Sequence, residues 1–220
     1  MKTTFYTLLL KLLDATFVLT SVEDVLDALG AAVERAKEQL AVIEKADTEK
    51  AADSEYIEAV NDEVNSFIEQ ILGAAFVVCQ TSITQVVSTV MTIRKHVRRK
   101  SHDRNEALKD KAALMKLGPE VKDKGVSKVA AIDAFANYFK HESEWSKPWA
   151  NLKGQQARTA DVVGNLGARQ GSTGNLRAGA EALGNGNYSD MRVFASIVEE
   201  WRAAVQRACR DELKTHGMIT

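Results

Sequence analysis

Asn137, Lys140 and His141 lie in the run Phe135-Ala-Asn-Tyr-Phe-Lys-His-Glu-Ser-Glu-Trp145, where apolar anchors and reactive side chains are most densely mixed. On a helix, residues three and four apart share a face. Asp133, Asn137, Lys140, His141 and Glu144 then form one polar stripe, and Val129, Ile132, Phe135, Ala136 and Phe139 an apolar one. In that geometry Asn137 can orient the His141 ring from one turn back, the acids tune its proton affinity, and Lys140 can hold a phosphate. The chemistry indicated is acid–base work on a phosphate ester. An exposed helix face carrying ordinary charge pairs is the plainer reading of the same stripe.

A second cluster supplies charge. The run Arg94-Lys-His-Val-Arg-Arg-Lys-Ser-His-Asp-Arg104 holds six Lys and Arg against one Asp. Cations at a helix C-terminus complement its dipole by about 0.3–1 kcal/mol each, but roughly two or three suffice for that. The surplus suits phosphate contacts, so Arg94, Lys95, Arg98, Arg99, Lys100 and Arg104 are candidate nucleic-acid-binding residues. No aromatic is interleaved, so base stacking is not indicated there.

The Asn-x-x-Lys-His core at 137–141, on a helix with a basic flank, resembles a degenerate site of the HEPN superfamily. Members of that family are helical bundles, often dimeric, and many are metal-independent ribonucleases of toxin–antitoxin and phage-defence systems. Their hallmark is an Arg, four to six intervening residues, and a His. The resemblance implies His141 as acid/base, with Lys140 and the basic side chains of 94–104 neutralising phosphate. At the family's Arg positions this chain has Ala134, Phe135 and Ala136, so a cation must come from elsewhere. The spacing recurs in Arg210-Asp-Glu-Leu-Lys-Thr-His216, which makes Arg210 and His216 a second candidate pair beside Gly217. The resemblance covers mainly residues 127–145.

Other chemistries find less support. His96, His102, His141, His216, Cys79 and Cys209 offer no paired ligand spacing, so neither a metal nor a cofactor is expected. Glu142 and Glu144 point to different faces of a helix. Cys79 and Cys209 each fall in a helical pattern and read as reduced core residues, which implies a cytoplasmic protein. The N-terminal apolar run Phe5–Leu19 is broken by Lys11 and Asp14, so no membrane span is expected.

The elements that must position these residues are helices. The chain is 45% hydrophobic and 27% charged, and only Pro119 and Pro148 interrupt it. Strict period-2 alternation is nearly absent, so the expected fold is all-α: one helical-bundle domain over 1–220 with a long antiparallel hairpin. Residues 1–93 carry six Lys and Arg against fifteen Asp and Glu, a balance of −9; residues 94–220 carry twenty-three against fifteen, a balance of +8. An acidic hairpin over 1–104, ending in the basic run, therefore precedes a basic half over 105–220. The split suggests an anionic partner or pairing of acidic with basic surface.

In chain order, a first helix is expected over 3–19, and a Ser21–Asp24 capping box opens a second over 21–45. After an acidic connection, a seam through Ile57, Val60, Val64, Phe67, Ile71, Ala74 and Val78 predicts one very long helix over 54–104, or two nearly collinear ones. Its register shifts near Cys79, after which Ile83, Val86, Val90, Ile93 and Val97 restart the seam, and Gly73 is its weak point. A short helix over 105–117 ends at Gly118-Pro119, a polar loop follows, and Ser127 caps the helix bearing His141. Residues 164–186 hold seven of thirteen glycines. They lack the Lys-Ser/Thr ending of a phosphate loop and read as a mobile glycine-rich loop. The last helix runs from Ser189 or Asp190 to Thr215, with Gly217 closing it. The expected function is a HEPN-like protein binding or cleaving RNA or a nucleotide. The alternative is a non-enzymatic helical scaffold. Either way, a homo-oligomer or a helical protein partner is expected.

Overall fold

The computed structural model of the chain describes residues 2–13, 16–48, 54–97, 105–145 and 147–219. Among these, eight α-helices pack around one contiguous apolar core reaching from Tyr6 to Met218. They are α1 (Lys2–Leu13), α2 (Thr16–Thr48), α3 (Ser54–Val97), α4 (Lys111–Met115), α5 (Lys128–His141), α6 (Gly154–Asn165), α7 (Asn175–Leu183) and α8 (Arg192–Thr215). The only strands among the described residues are β1 (Glu120–Val121) and β2 (Val126–Ser127), an antiparallel pair. The fold is all-α, as composition and periodicity indicate.

α3 is the spine. Its 44 residues, at 1.5 Å each, span about 66 Å. α2 runs antiparallel to it: Arg35 to Ile43 of α2 share a groove with Phe67 to Val60 of α3. By length and composition α3 could cross a membrane, but 56% of its most apolar window is buried inside the fold. Its buried seam is Ile68, Leu72, Phe76, Cys79, Ile83, Val86, Val90 and Ile93. Ahead of Cys79 that seam is rotated from the expected one, running through Ile68, Leu72 and Phe76 and leaving Phe67 53% exposed, whereas Ile83, Val86, Val90 and Ile93 are buried as expected. The reason is tertiary. Before Asn65, which accepts from Arg177 of α7 at 2.6 Å, the described helix packs on α2; beyond it, α5, α7 and α8 bury a different stripe.

An aromatic column ties the body together. Phe76 of α3 stacks on Phe135 of α5 at 5.2 Å and on Phe194 of α8 at 4.9 Å. Two glycines admit the rings. A Cβ on Gly73 would lie 2.3 Å from the Phe139 ring, and one on Gly179 would lie 2.5 Å from the Phe135 ring. Gly73 is thus where α5 meets the α3 backbone rather than a break in the helix.

Helix ends follow local chemistry. Ser127 Oγ accepts from the Ala130 amide at 3.2 Å, the cap read from the sequence. Gly217, at φ +60°, lets the Gly217 amide reach Lys214 O and the Met218 amide reach Leu213 O. Those two bonds make a Schellman close on α8. Arg202 and Gln206 of α8 donate to the Leu13 and Leu10 carbonyls, orphans at the end of α1.

Several expected boundaries moved. α2 begins at Thr16 and runs straight through Ser21, because no Gly or Pro separates the Ser21–Asp24 box from the apolar run before it. The expected 105–117 helix is a 3₁₀ turn (Glu106–Leu108) followed by α4. Asp110 divides them: it is extended, and its carboxylate caps the Ala113 amide at 2.8 Å. The expected loop at 119–126 holds the β1–β2 hairpin. The expected mobile loop at 164–186 instead contains the end of α6 and all of α7.

Candidate functional site

α5 carries the expected triplet, and the structure splits it. Asn137 and Lys140 turn toward α3 and meet at Gln80. Gln80 Nε2 donates to Asp133 Oδ1 at 2.8 Å and Asn137 Oδ1 at 3.0 Å, while Lys140 Nζ donates to Gln80 Oε1 at 2.6 Å. Asp133 also pairs with Lys111 of α4 at 2.8 Å. The result is a closed polar network that pins α5 and α4 to the spine. Gln80 and Lys111 were not anticipated. The available signal was a polar residue at the point where the α3 seam shifts register.

His141 belongs to a different surface. Its Nδ1 lies 3.2 Å from Glu144 Oε1, and both side chains are at least half exposed. The expected Asn137–His141 contact is replaced by this one, because Asn137 is held by Gln80 and Asp133. No arginine partners His141 in a described contact. The second pair fares similarly. Arg210 is exposed and His216 half-buried, six residues apart and therefore about 120° apart around α8.

The basic run is placed only in part: Arg98, Arg99, Lys100 and Arg104 lie outside the described residues. Lys95 is exposed. Arg94 is a correction, for it is 4% exposed and faces inward. Its Nη1 donates to the Asn105 carbonyl and lies 3.8 Å from Glu212 Oε1 of α8. A guanidinium in that position cannot meet a phosphate in solvent. Cys209 shares this neighbourhood. Burial first, then the Glu212 charge, pushes its thiol up to about 12, against the opposing effect of Arg94. Burial does the same to Cys79. Both thiols are buried and free, so they are protonated core groups, not nucleophiles.

The glycine-rich stretch is organised by Asn175. Its Oδ1 accepts from the Arg169 amide at 2.8 Å. Its Nδ2 donates to Arg169 O at 2.8 Å and Ser172 O at 2.9 Å, and lies 2.8 Å from Tyr138 Oη. The amides that open α7 are already taken. Glu69 of α3 receives Leu176 N at 2.8 Å and Arg177 N at 3.0 Å. Burial raises the Glu69 pKa, and those two amides and Arg177 only partly offset it. A carboxylate thus occupies the place a phosphate would take. Asn175→Ala is expected to cost on the order of 1–3 kcal/mol, by orphaning buried polar groups. The check is tryptic cleavage at Arg169, which should quicken markedly in the variant while the distant hairpin stays resistant.

The feature that sequence reading missed lies at the far end of the hairpin. No described residue of 37–48 in α2 or 54–67 in α3 is buried. At their base Lys37 donates to Ser189 Oγ at 3.2 Å and Asn65 accepts from Arg177 at 2.6 Å; beyond those contacts the two helices continue for about 15 Å as a two-helix arm. Val42, Tyr56 and Phe67 stand 69%, 67% and 53% exposed on it. At its base is a groove of about 750 Å³ floored by Val42, Ile43, Val60, Val64 and Phe67, with Arg35, Glu38 and Glu63 at its edges.

Among the described residues no group of three or more His, Cys, Asp or Glu converges as a metal shell. Comparison with known proteins finds no matching family model, no matching curated protein and no matching solved structure. The HEPN resemblance therefore rests on residues 127–145 and the helical background alone.

Proposed function

We propose that this chain is a non-enzymatic helical interaction protein whose hairpin arm is covered by another polypeptide. One observation carries the reading: an arm without a buried described residue that nonetheless displays Val42, Tyr56 and Phe67. Helices draw most of their stability from packing an apolar face, and two helices alone cover only part of theirs. Val42 and Phe67 line one groove, and exposed apolar surface of this kind marks a contact site. The residues expected to do chemistry are also committed elsewhere. Asn137 and Lys140 serve the Gln80 network, Arg94 serves Glu212, and His141 faces Glu144. The test is a photo-crosslinking amino acid at position 42, with a control at exposed Arg210, in cells making the full chain. Polypeptide crosslinks at 42 and not at 210 are the expected result. None at 42, or equal labelling at both, removes the reading.

One observation favours RNA or nucleotide binding as a second reading. A hollow of about 560 Å³ along α3 is lined by Val77 and by the polar side chains of Gln80, Thr81, Thr84, Gln85, Ser88, Thr89 and Lys140. Hydroxyls, amides and one ammonium are groups that meet sugar and phosphate. Here Lys140→Ala should weaken binding to single-stranded RNA and lower its salt dependence by about one counterion. His141→Ala, assayed beside it, separates binding from cleavage: unchanged cleavage would remove the acid–base role.

A further inference from the structure

We infer that the occupant of the arm groove is an amphipathic helix with lysine or arginine flanking an apolar stripe, supplied by a different protein. This rests on the reading of the arm as a covered surface and adds the chemistry of what covers it.

Shape comes first. The groove is lined at Arg35, Glu38, Gln39, Val42 and Ile43 on α2, and at Val60, Glu63, Val64 and Phe67 on α3. Both sets follow steps of three and four, over about two turns of each helix. A trough of that kind, some 12 Å long with an apolar floor, receives side chains at i, i+3, i+4 and i+7 of a third helix.

Charge decides the sign. From Ser54 to Ile93 the chain has no Lys or Arg at all, while Glu55, Glu58, Asp62 and Glu63 line the arm portion of α3. On α2, Glu34, Glu38 and Glu44 balance Arg35, Lys37 and Lys45, so the acidic excess around the groove comes from α3. The floor is apolar and its surroundings are acidic, so cationic flanks are complementary.

A second copy of this chain does not meet those terms. Its arm would bring the same acidic surface to an acidic surface. Its basic half, beyond residue 94, exposes no large hydrophobic side chain among the described residues: Leu8, Val25, Val42, Tyr56 and Phe67 all precede it. Among the described residues, then, the basic half has no exposed large apolar side chain, and those that are exposed lie within the acidic half. The occupant must combine basic charge with apolar side chains.

The probes are two model helical peptides of about eighteen residues, roughly 27 Å long. Both carry leucine at i, i+3, i+4 and i+7; one has lysine at the remaining positions and the other glutamate. Binding to the full chain is followed by fluorescence anisotropy at low and high salt, and the mass of the free chain by light scattering. The groove variant is Val42→Ser with Phe67→Ser, which leaves every charge in place. Both side chains are more than half exposed, so the thermal midpoint should hold and report an intact fold. The expected result is binding of the lysine peptide, weakened by salt and weakened roughly tenfold or more in the variant. Equal binding of the glutamate peptide overturns the basic chemistry and leaves the covered arm standing. Lysine-peptide binding that ignores the variant is charge adsorption outside the groove, and overturns the inference. A wild-type dimer that the variant dissociates makes the occupant a second copy, again overturning the inference but not the covered arm. A monomer that binds neither peptide overturns the inference, leaving the covered arm to stand or fall on crosslinking at position 42.

Discussion

Replacing Phe135 with alanine is expected to remove about 3–5 kcal/mol of stability, a large share of the roughly 5–15 kcal/mol that holds a domain together. Phe135 is fully buried, and its ring joins three helices. It stacks on Phe76 of α3 at 5.2 Å and lies against the Gly179 backbone of α7. Truncation leaves a void that helices fixed along their lengths cannot close. Urea unfolding is the measurement: the midpoint should fall sharply while the denaturant slope stays nearly constant. Gly179 supplies the counterpart. A methyl there meets the ring at 2.5 Å, so Gly179→Ala should cost about 1–3 kcal/mol by overpacking. In a Phe135→Leu background that cost should shrink, since the smaller side chain leaves room. A Gly179→Ala variant as harmless in both backgrounds as a surface change would show that the two helices do not meet as described.

This contact explains what sequence could and could not convey. Helical class was legible because α3 keeps steps of three and four over its whole length and no Pro interrupts it. Ser127 and Gly217 were legible because caps are local: one hydroxyl three residues from its amide, one residue at positive φ. Gly179 was read as part of a flexible stretch because its meaning depends on Phe135, over forty residues away. Asn175 was overlooked for the same reason, as its Nδ2 reaches Tyr138 on another helix. The arm was hidden by its regularity. Ile57, Val60 and Val64 repeat like the core seam below them, and periodicity alone cannot tell two helices from five.

The candidate site was legible in composition and misassigned in direction. Asn137 and Lys140 do share a face, as their spacing requires, but that face belongs to α3. His141 follows Lys140 by about 100° of helix rotation, enough to place it at the rim with Glu144. Arg94 carried a usable signal: it falls four residues after Val90, on the buried seam. Among six cations its sequence neighbourhood groups it with the candidate phosphate contacts.

Arg94→Met is expected to destabilise the fold by about 3–5 kcal/mol, because it strands the Glu212 carboxylate in the core. Both side chains are about 95% buried, at 5% and 3% exposure. Glu212→Leu alone should cost a similar amount by stranding the guanidinium. The double replacement should behave differently. The pair is loose, at 3.8 Å, and neither Glu212 oxygen has a hydrogen-bond partner, so its attraction poorly repays desolvation. The Asn105 carbonyl that Arg94 also serves keeps the Leu108 amide at 3.2 Å. Arg94→Met with Glu212→Leu should therefore recover wild-type stability or exceed it by about 1–4 kcal/mol. Thermal or urea unfolding of the four proteins gives the coupling directly. The same cycle separates a core role from a phosphate-binding one. A surface cation gripping nucleic acid would leave stability nearly unchanged when removed and reduce the salt slope of binding by about one. An Arg94→Met protein as stable as wild type would return this residue to the basic surface and reopen the helix end as a nucleic-acid contact.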